Sequence, residues 1–252
     1  MTDNIKEIED YVNSPSGVGG SIVGIMQPYI FPYIGYFQLI NAVDKFVIYD
    51  DVAYINKGWI NRNNILVGGK ASLFTIPLVN ASQNRLIKEI EVDNLALWSK
   101  KFLKTIEQSY KKAPFYTAVL SVLESVFNSS QTNIGALTTL SLKQTCQYLG
   151  IKTEIVESSG VYNNQELKAQ ERILDICLQE KAHHYINPIG GMSIYDKQLF
   201  ADNKILLNFI KAKPVIYKQF TNEFVPWLSM IDIMMFCSVE EIHEHLKQFE
   251  LV

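Results

Sequence analysis

Residues 22–51, IVGIMQPYIFPYIGYFQLINAVDKFVIYDD, constrain the fold more than any other stretch of the chain. The apolar run 22–26 stops at Gln27-Pro28, residues 33–42 repeat their apolar side chains at helical spacing, and residues 46–49 form a second apolar run that ends in Asp50-Asp51. Strand, loop, helix and strand in this order and length suit a parallel βαβ crossover. Ligands of such sheets bind beyond the carboxyl ends of the strands, which puts Gln27, Tyr29, Asp50 and Asp51 on one rim. The polar-tipped rings of Tyr29, Tyr33 and Tyr36 are expected to line a pocket there, while Ile30, Phe31, Phe37 and Leu39 fill the core.

The pattern changes over residues 54–90. Gly68-Gly69 separates two apolar runs, and residues 86–92 alternate apolar and polar side chains, so strands and a hairpin are expected as an antiparallel extension. Beyond Asp93 the spacing turns helical, with Leu97, Phe102, Ile106 and Tyr110 on one face and Pro114 as punctuation. Further helices are expected at 115–127 and from Asn133, a capping residue, to Leu149, with Gly150 ending the latter. A short strand at 153–157, a helix at 165–180, strands near 184–188, 205–210 and 215–220, and helices from Leu228 and Val239 complete the expectation. This alternation predicts an α/β fold: a Rossmann-like three-layer sandwich whose sheet is mainly parallel. Residues 1–20, which end within the Gly- and Ser-rich joint SPSGVGGS of residues 14–21, read as a flexible amino-terminal appendage, with residues 21–252 forming a single α/β catalytic domain.

With 23 basic and 26 acidic residues the net charge is -3, so no overall field draws the chain to DNA or to anionic lipid. Three separated cysteines, Cys146, Cys177 and Cys237, fit buried free thiols better than a disulfide framework or a zinc site. No stretch reaches the ~20 apolar residues of a membrane span, and the acidic start MTDNIKEIEDYVN lacks a signal-peptide core, so the expected location is cytoplasmic. The fingerprints GxxxxGK[ST], GxGxxG, HExxH and GxSxG are missing from the sequence. No cofactor or metal site is expected.

Three groupings carry chemistry. In YINKGWINRNN, Lys57 and Arg62 are placed to grip phosphates while Trp59 or Tyr54 stacks on a base or sugar and Asn61 adds an amide; the plainer alternative is a polar hairpin with a half-buried tryptophan. Asp50 and Asp51 close a strand and point to opposite faces, so at most one faces the site, and a turn-capping carboxylate is as good an account as a base or metal ligand. In AHHYINPIGG, His184 is the best general base because imidazole titrates near neutral pH, and Gly190-Gly191 lets backbone amides approach an anion or carbonyl oxygen. A structural histidine is the competing account. Ser229 and Asp232 in FVPWLSMID are taken as helix-start residues, and thus as architecture.

QPYIFPYIGYFQLINAVDKFVIYDDVAYINKGWINRN, then YINPIGG, then FVPWLSMIDIMMF, in that order, resemble the WbqC-like family of bacterial proteins, over about residues 24–236. The resemblance carries over Gln27, Pro28, Tyr29, Pro32, Gly35 and Tyr36 in the first block. The second supplies Asp50, Asp51, Lys57, Trp59, Asn61 and Arg62, and the third Tyr185, Asn187, Pro188, Gly190 and Gly191. Trp227 stands where a small polar residue is expected. The family is associated with surface polysaccharides, O-antigens and unusual amino sugars, which implies a lipopolysaccharide-type pathway and N-acyl or aminoacyl transfer, for example of glycine, to a nucleotide-linked amino sugar. The first block is also laid out like the start of the HIGH-type nucleotidyltransferases, but with Tyr33 and Tyr36 where those enzymes carry histidines, which argues against ordinary adenylyl transfer.

The leading expectation is therefore an amino-sugar N-acyltransferase. Lys57 and Arg62 would hold the diphosphate, His184 or Asp50 would take the amine proton, and Asn187 with Gly190-Gly191 would face the oxyanion. Its partners would be a nucleotide-linked amino sugar and an unidentified acyl donor, free or carried on a protein or RNA; a homo-oligomer is compatible with the sequence. The rivals are an O-antigen glycosyltransferase, which commonly uses an Asp-x-Asp that Asp50-Asp51-Val52 does not provide, and a non-catalytic nucleotide-sugar-binding protein.

Overall fold

The computed structural model describes residues 20–220 and 223–252. The expected appendage lies outside the described residues apart from Gly20, which leads straight into the first strand. Strand β1 (Ser21–Met26), helix α1 (Ile34–Asn41) and strand β2 (Lys45–Ile48) form the expected crossover unit, and β1 and β2 pair in parallel with Met26 opposite Ile48. The hairpin follows as β3 (Arg62–Val67) and β4 (Lys70–Thr75). Its turn residues Gly68 and Gly69 have φ of +58° and +77°, angles that favour glycine. Three helices come next: α2 (Leu95–Tyr110), α3 (Tyr116–Phe127) and α4 (Ile134–Leu149), the last capped by Asn133, whose side chain accepts from the Ala136 amide. Then come β5 (Glu154–Val156), α5 (Ala169–Gln179), β6 (Ala182–Pro188), α6 (Lys197–Asp202), β7 (Leu206–Ala212), α7 (Met230–Phe236), α8 (Val239–Leu246) and β8 (Phe249–Leu251).

The main sheet has the order β5-β2-β1-β6-β7-β8, parallel except for β8. Along the chain its strands step outward from β1 to one edge and then from β6 to the other, the doubly wound order of a Rossmann-like sheet, which places the topological switch point between β1 and β6. Strand alternation divides the core. Ile22, Phe46, Ile48, Ile186 and Ile210 pack on one face with α1, α4, α7 and α8, whereas Val23, Ile25, Val47, Tyr185, Leu207 and Phe209 pack on the other with α5 and α6. Helices on both faces of one sheet make the expected three layers.

Several local expectations fail for identifiable reasons. The hairpin pairs only with itself, and the antiparallel strand of the main sheet is the unforeseen β8. Residues 86–92 contain a 3₁₀ turn, Ile87–Glu89, because the buried side chains are Ile87 and Ile90, three apart, and the Lys88 amide bonds Asp50 O. No strand forms at 215–220, since β8 already occupies the free edge of β7. Leu97 is exposed, and Ser99 takes the place expected for it on the buried face of α2. The helix expected from 165 begins only at Ala169, after a turn in which the Leu167 amide bonds Asn164 O.

Candidate functional site

The strand carboxyl ends carry a cavity of about 350 Å3 on the α1 side of the switch point. Met26 supplies it from β1, Pro188 and Ile189 from the end of β6, and Ile210 and Ala212 from the end of β7. Around them stand Tyr29, Tyr33, Tyr36, Trp59 and Trp227. The Tyr29 and Tyr36 rings meet at 5.6 Å, and Tyr33 meets Trp227 at 5.1 Å. Tyr36 donates to Gln27 O at 2.8 Å, pinning the loop after β1 to the first turn of α1.

Hydrogen bonds from three parts of the chain fix this loop. Asn63 of β3 donates to Phe31 O at 2.9 Å, Ile30 donates its amide to Ile60 O at 3.1 Å, and the Met230 amide at the start of α7 bonds Pro32 O at 2.9 Å. These ties hold Phe31 at a φ of +39°, a conformation rare for a bulky residue. Burial pushes the phenols of Tyr29, Tyr33 and Tyr36 above the ordinary tyrosine value, so they stay protonated at working pH. No side chain caps the start of α1, whose Tyr33 and Gly35 line the cavity, so its first-turn dipole is available to a negative group.

Asp50 and Asp51 do point to opposite sides. Asp50 accepts from Ser158 Oγ at 2.6 Å and lines a second, polar cavity of about 250 Å3 with Lys88, Asn133, Lys143 and Glu157. Burial raises its pKa. Asp51 turns under the opposite face to meet Arg172 Nη2 at 2.6 Å, with Gln165 at 3.0 Å and Ser159 also donating to it. Burial opposes its charge, but these donors outweigh burial and hold its pKa below the usual carboxylate value. Arg172 also lies 5.0 Å from the Tyr49 ring centroid and donates to Asn164 at 3.0 Å, so the ion pair is closed on all sides.

The remaining candidates divide in the same way. Tyr54 donates to Asn61 at 2.9 Å and Asn61 to Ile76 O at 2.7 Å, so both are used inside the packing rather than at the cavity. Arg62 donates to the carbonyls of Gly58 and Lys57 and sits 5.7 Å from the Trp59 ring centroid; it closes the loop that presents Trp59 instead of reaching outward. Lys57 is exposed on that loop. Asn187 donates to Tyr185 on the α5 side, and a Cβ at Gly191 would fall 2.2 Å from Asn187 Oδ1, so Gly191 gives room to that amide. Gly190 sits in the 3₁₀ turn Ile189–Gly191.

His184 stands in the amino-terminal half of β6, opposite Ile22 and Leu206, at the other end of the sheet from the cavities. It is 3.0 Å from Asn208 Oδ1, and burial lowers its pKa to about 4. That placement removes it from the base role. Asp232 is no simple helix-start residue either. Fully buried, it accepts from Tyr110 at 2.7 Å, Tyr217 at 2.6 Å and Gln219 at 2.7 Å, and fastens the segment after β7 to α2. The cavity residues that sequence reasoning passed over are Met26, Asn63, Ile189, Ile210, Ala212 and Trp227. Only Trp227 gave a signal, as an aromatic out of place after Pro226.

Comparison with known proteins follows the same residues: the WbqC-like protein family matches positions 27–244. The chain belongs to the WbqC-like family. It is also 30% identical over 215 residues to the uncharacterized protein Rv1507c of Mycobacterium tuberculosis, a match covering 84% of this chain and 92% of that one. No solved structure matches significantly. The matched region takes in every residue lining the aromatic cavity except Met26, together with both aspartates. Among the described residues no helix is long and apolar enough to cross a membrane, and no cluster of His, Cys, Asp and Glu is arranged to hold a metal ion. Cys146, Cys177 and Cys237 are buried free thiols.

Proposed function

We propose that this WbqC-like protein binds a nucleotide-linked amino sugar in the aromatic cavity and transfers an acyl or aminoacyl group to the sugar's amine. Membership of the family suggests a role in polysaccharide biosynthesis. The ligand class rests on one observation: five tyrosine and tryptophan rings surround the uncapped start of α1 at the switch point of a doubly wound sheet. Rings of this kind stack on a base or on the apolar face of a sugar, protonated phenols donate to its oxygens, and the helix start favours a diphosphate.

In the transfer, the amine nitrogen attacks the acyl carbonyl, the C–N bond forms, the bond to the donor's leaving group breaks, and the amine gives up a proton. Asp50 is assigned as the acceptor of that proton. It lies two residues beyond β2, the strand beside β1, and lines the polar cavity, so the assignment requires the sugar's amine to reach from the aromatic cavity into that one; its raised pKa makes it a better base than an ordinary carboxylate. A binding protein without chemistry is the second reading, favoured by the lack of any histidine or carboxylate among the residues lining the aromatic cavity itself.

Mass spectrometry separates the two. Incubation with nucleoside-diphosphate amino sugars and a panel of acyl donors is expected to add one acyl mass to the amine, with Asp50→Asn lowering turnover about 100-fold or more at unchanged ligand affinity. Tight binding with no product from any donor would leave the binding-protein reading standing and end the transferase one.

A further inference from the structure

We propose that the loops around the mouth of the aromatic cavity dock the protein onto an anionic lipid surface, so that the cavity takes its sugar substrate at that surface. About half of the large apolar side chains exposed among the described residues stand on three segments at the carboxyl rim. The segment after β2 bears Ile55 and Trp59, the segment after β6 bears Met192 and Ile194, and the segment after β7 bears Ile216 and Trp227. These segments are remote in sequence, but Trp59, Ile189 and Trp227 line one cavity, so all three meet at its mouth.

Nothing in the internal packing requires these side chains to face water. Ile216 is 70% exposed and Trp227 68%, and Trp227 has a φ of +61°. Left-handed backbone is rare at a bulky residue, and here it sets a largely exposed indole against Tyr33 at the cavity mouth instead of folding it into the core. Exposed lysines accompany the apolar residues: Lys57 between Ile55 and Trp59, Lys197 after Ile194, and Lys213 and Lys218 on either side of Ile216. Exposed Asp196 and Glu223 are fewer, so the rim is locally basic on a chain whose net charge is -3.

Separate apolar tips, interleaved lysines and two tryptophans are the composition that partitions into the headgroup region of an anionic bilayer. A protein partner would call instead for a continuous apolar core with a polar rim. With the mouth held against the headgroups, the nucleotide-linked amino sugar reaches the aromatic rings at the membrane surface. This last step rests on the aromatic cavity being the substrate site. The docking itself does not depend on acyl transfer.

The test is sedimentation of the full chain with vesicles, in the absence of any sugar. Vesicles of equal parts phosphatidylglycerol and phosphatidylcholine are compared with pure phosphatidylcholine, and tryptophan emission is followed in parallel. The expected result is cosedimentation with the anionic vesicles, weakened by salt, and a blue shift of emission. The pair Ile194→Asp with Ile216→Asp, neither in the cavity lining, is expected to lose binding about tenfold or more, while Leu73→Asp on β4 binds as wild type. No binding to anionic vesicles, or equal binding by the paired variant with its fold confirmed by circular dichroism, would overturn the docking. Equal loss in Leu73→Asp would do the same. Acylation of a soluble nucleotide sugar is read independently, so failure of one proposal is not mistaken for failure of the other.

Discussion

Asp50 and Asp51 are neighbours in the chain and end up in opposite settings, and the contrast describes the two sides of the sheet rim. On the α5 side, Asp51, Arg172, Asn187 and Tyr185 are buried and spent on close partners, with exposed Gln165 donating to Asp51 from the edge, so that every charge has its partner. On the α1 side the rim is open, with aromatic rings at the switch point and Asp50 exposing one edge of its carboxylate to a polar cavity. The closed side behaves as a clasp between β2 and α5, and the open side is where a ligand finds unpaired surface. Apart from Asp50, the polar residues that look catalytic in the sequence are mostly used inside the fold, whereas the aromatic residues expected at the rim form the cavity.

The largest effect expected from breaking this division is on the closed side. Arg172→Met strands a buried carboxylate and should destabilise the protein by about 3–5 kcal/mol in urea or thermal denaturation. A loss within 0.5 kcal/mol would show that the pair is not a clasp. Asp51→Asn should behave alike.

Next in size is a response to acid. His184 has its pKa lowered to about 4 by burial, against about 6.5 in an unfolded chain. The stability tied to its neutral form is therefore fully present above pH ~6.5 and drains away by a few kcal/mol as pH falls toward 4. Asp51, whose pKa is lowered, adds a further loss only below about pH 4. A His184→Gln protein should show a flatter profile between those limits, and an unchanged profile would contradict the assignment.

The open side should respond in binding and not in stability. Trp59→Ala and Trp227→Ala should each weaken a nucleotide-sugar ligand by about tenfold, a loss in the range of ~1–3 kcal/mol for stacking on one ring, while melting within a few degrees of wild type because neither residue is buried in the core. The smallest effect separates the two aspartates most cleanly. Asp50→Asn keeps an oxygen to accept from Ser158 and removes a charge that burial disfavours, so it should change stability at neutral pH by less than about 0.5 kcal/mol. A loss like that of Asp51→Asn would erase the contrast.

Much of this arrangement is legible in the sequence because local rules and tertiary structure agree there. The β1-α1-β2 unit shows through its apolar runs, the hairpin through Gly68-Gly69, and α4 through Asn133 and Gly150, each set by residues close in the chain. Tyr29, Tyr33, Tyr36 and Trp59 are placed at the cavity because strand ends locate the rim. What is hidden depends mostly on partners far away: the three-residue β8 exists only by pairing with β7, and the roles of Asp51, His184 and Asp232 are set by Arg172, Asn208 and two tyrosines, while Arg62 and Asn187 are taken up by near neighbours, loop carbonyls and Tyr185, that no spacing rule singles out. Trp227 was missed because its position over Tyr33 comes from the return of the chain after β7.

The central claim is that ligand binds at the aromatic cavity, and the shift in melting temperature caused by nucleoside-diphosphate amino sugars tests it most directly. The account predicts that one such sugar raises the melting temperature of the wild type and of Asp50→Asn alike, and that the rise disappears in the double variant Trp59→Ala with Trp227→Ala. A rise that survives in the double variant, or no rise with any nucleotide sugar, would contradict it.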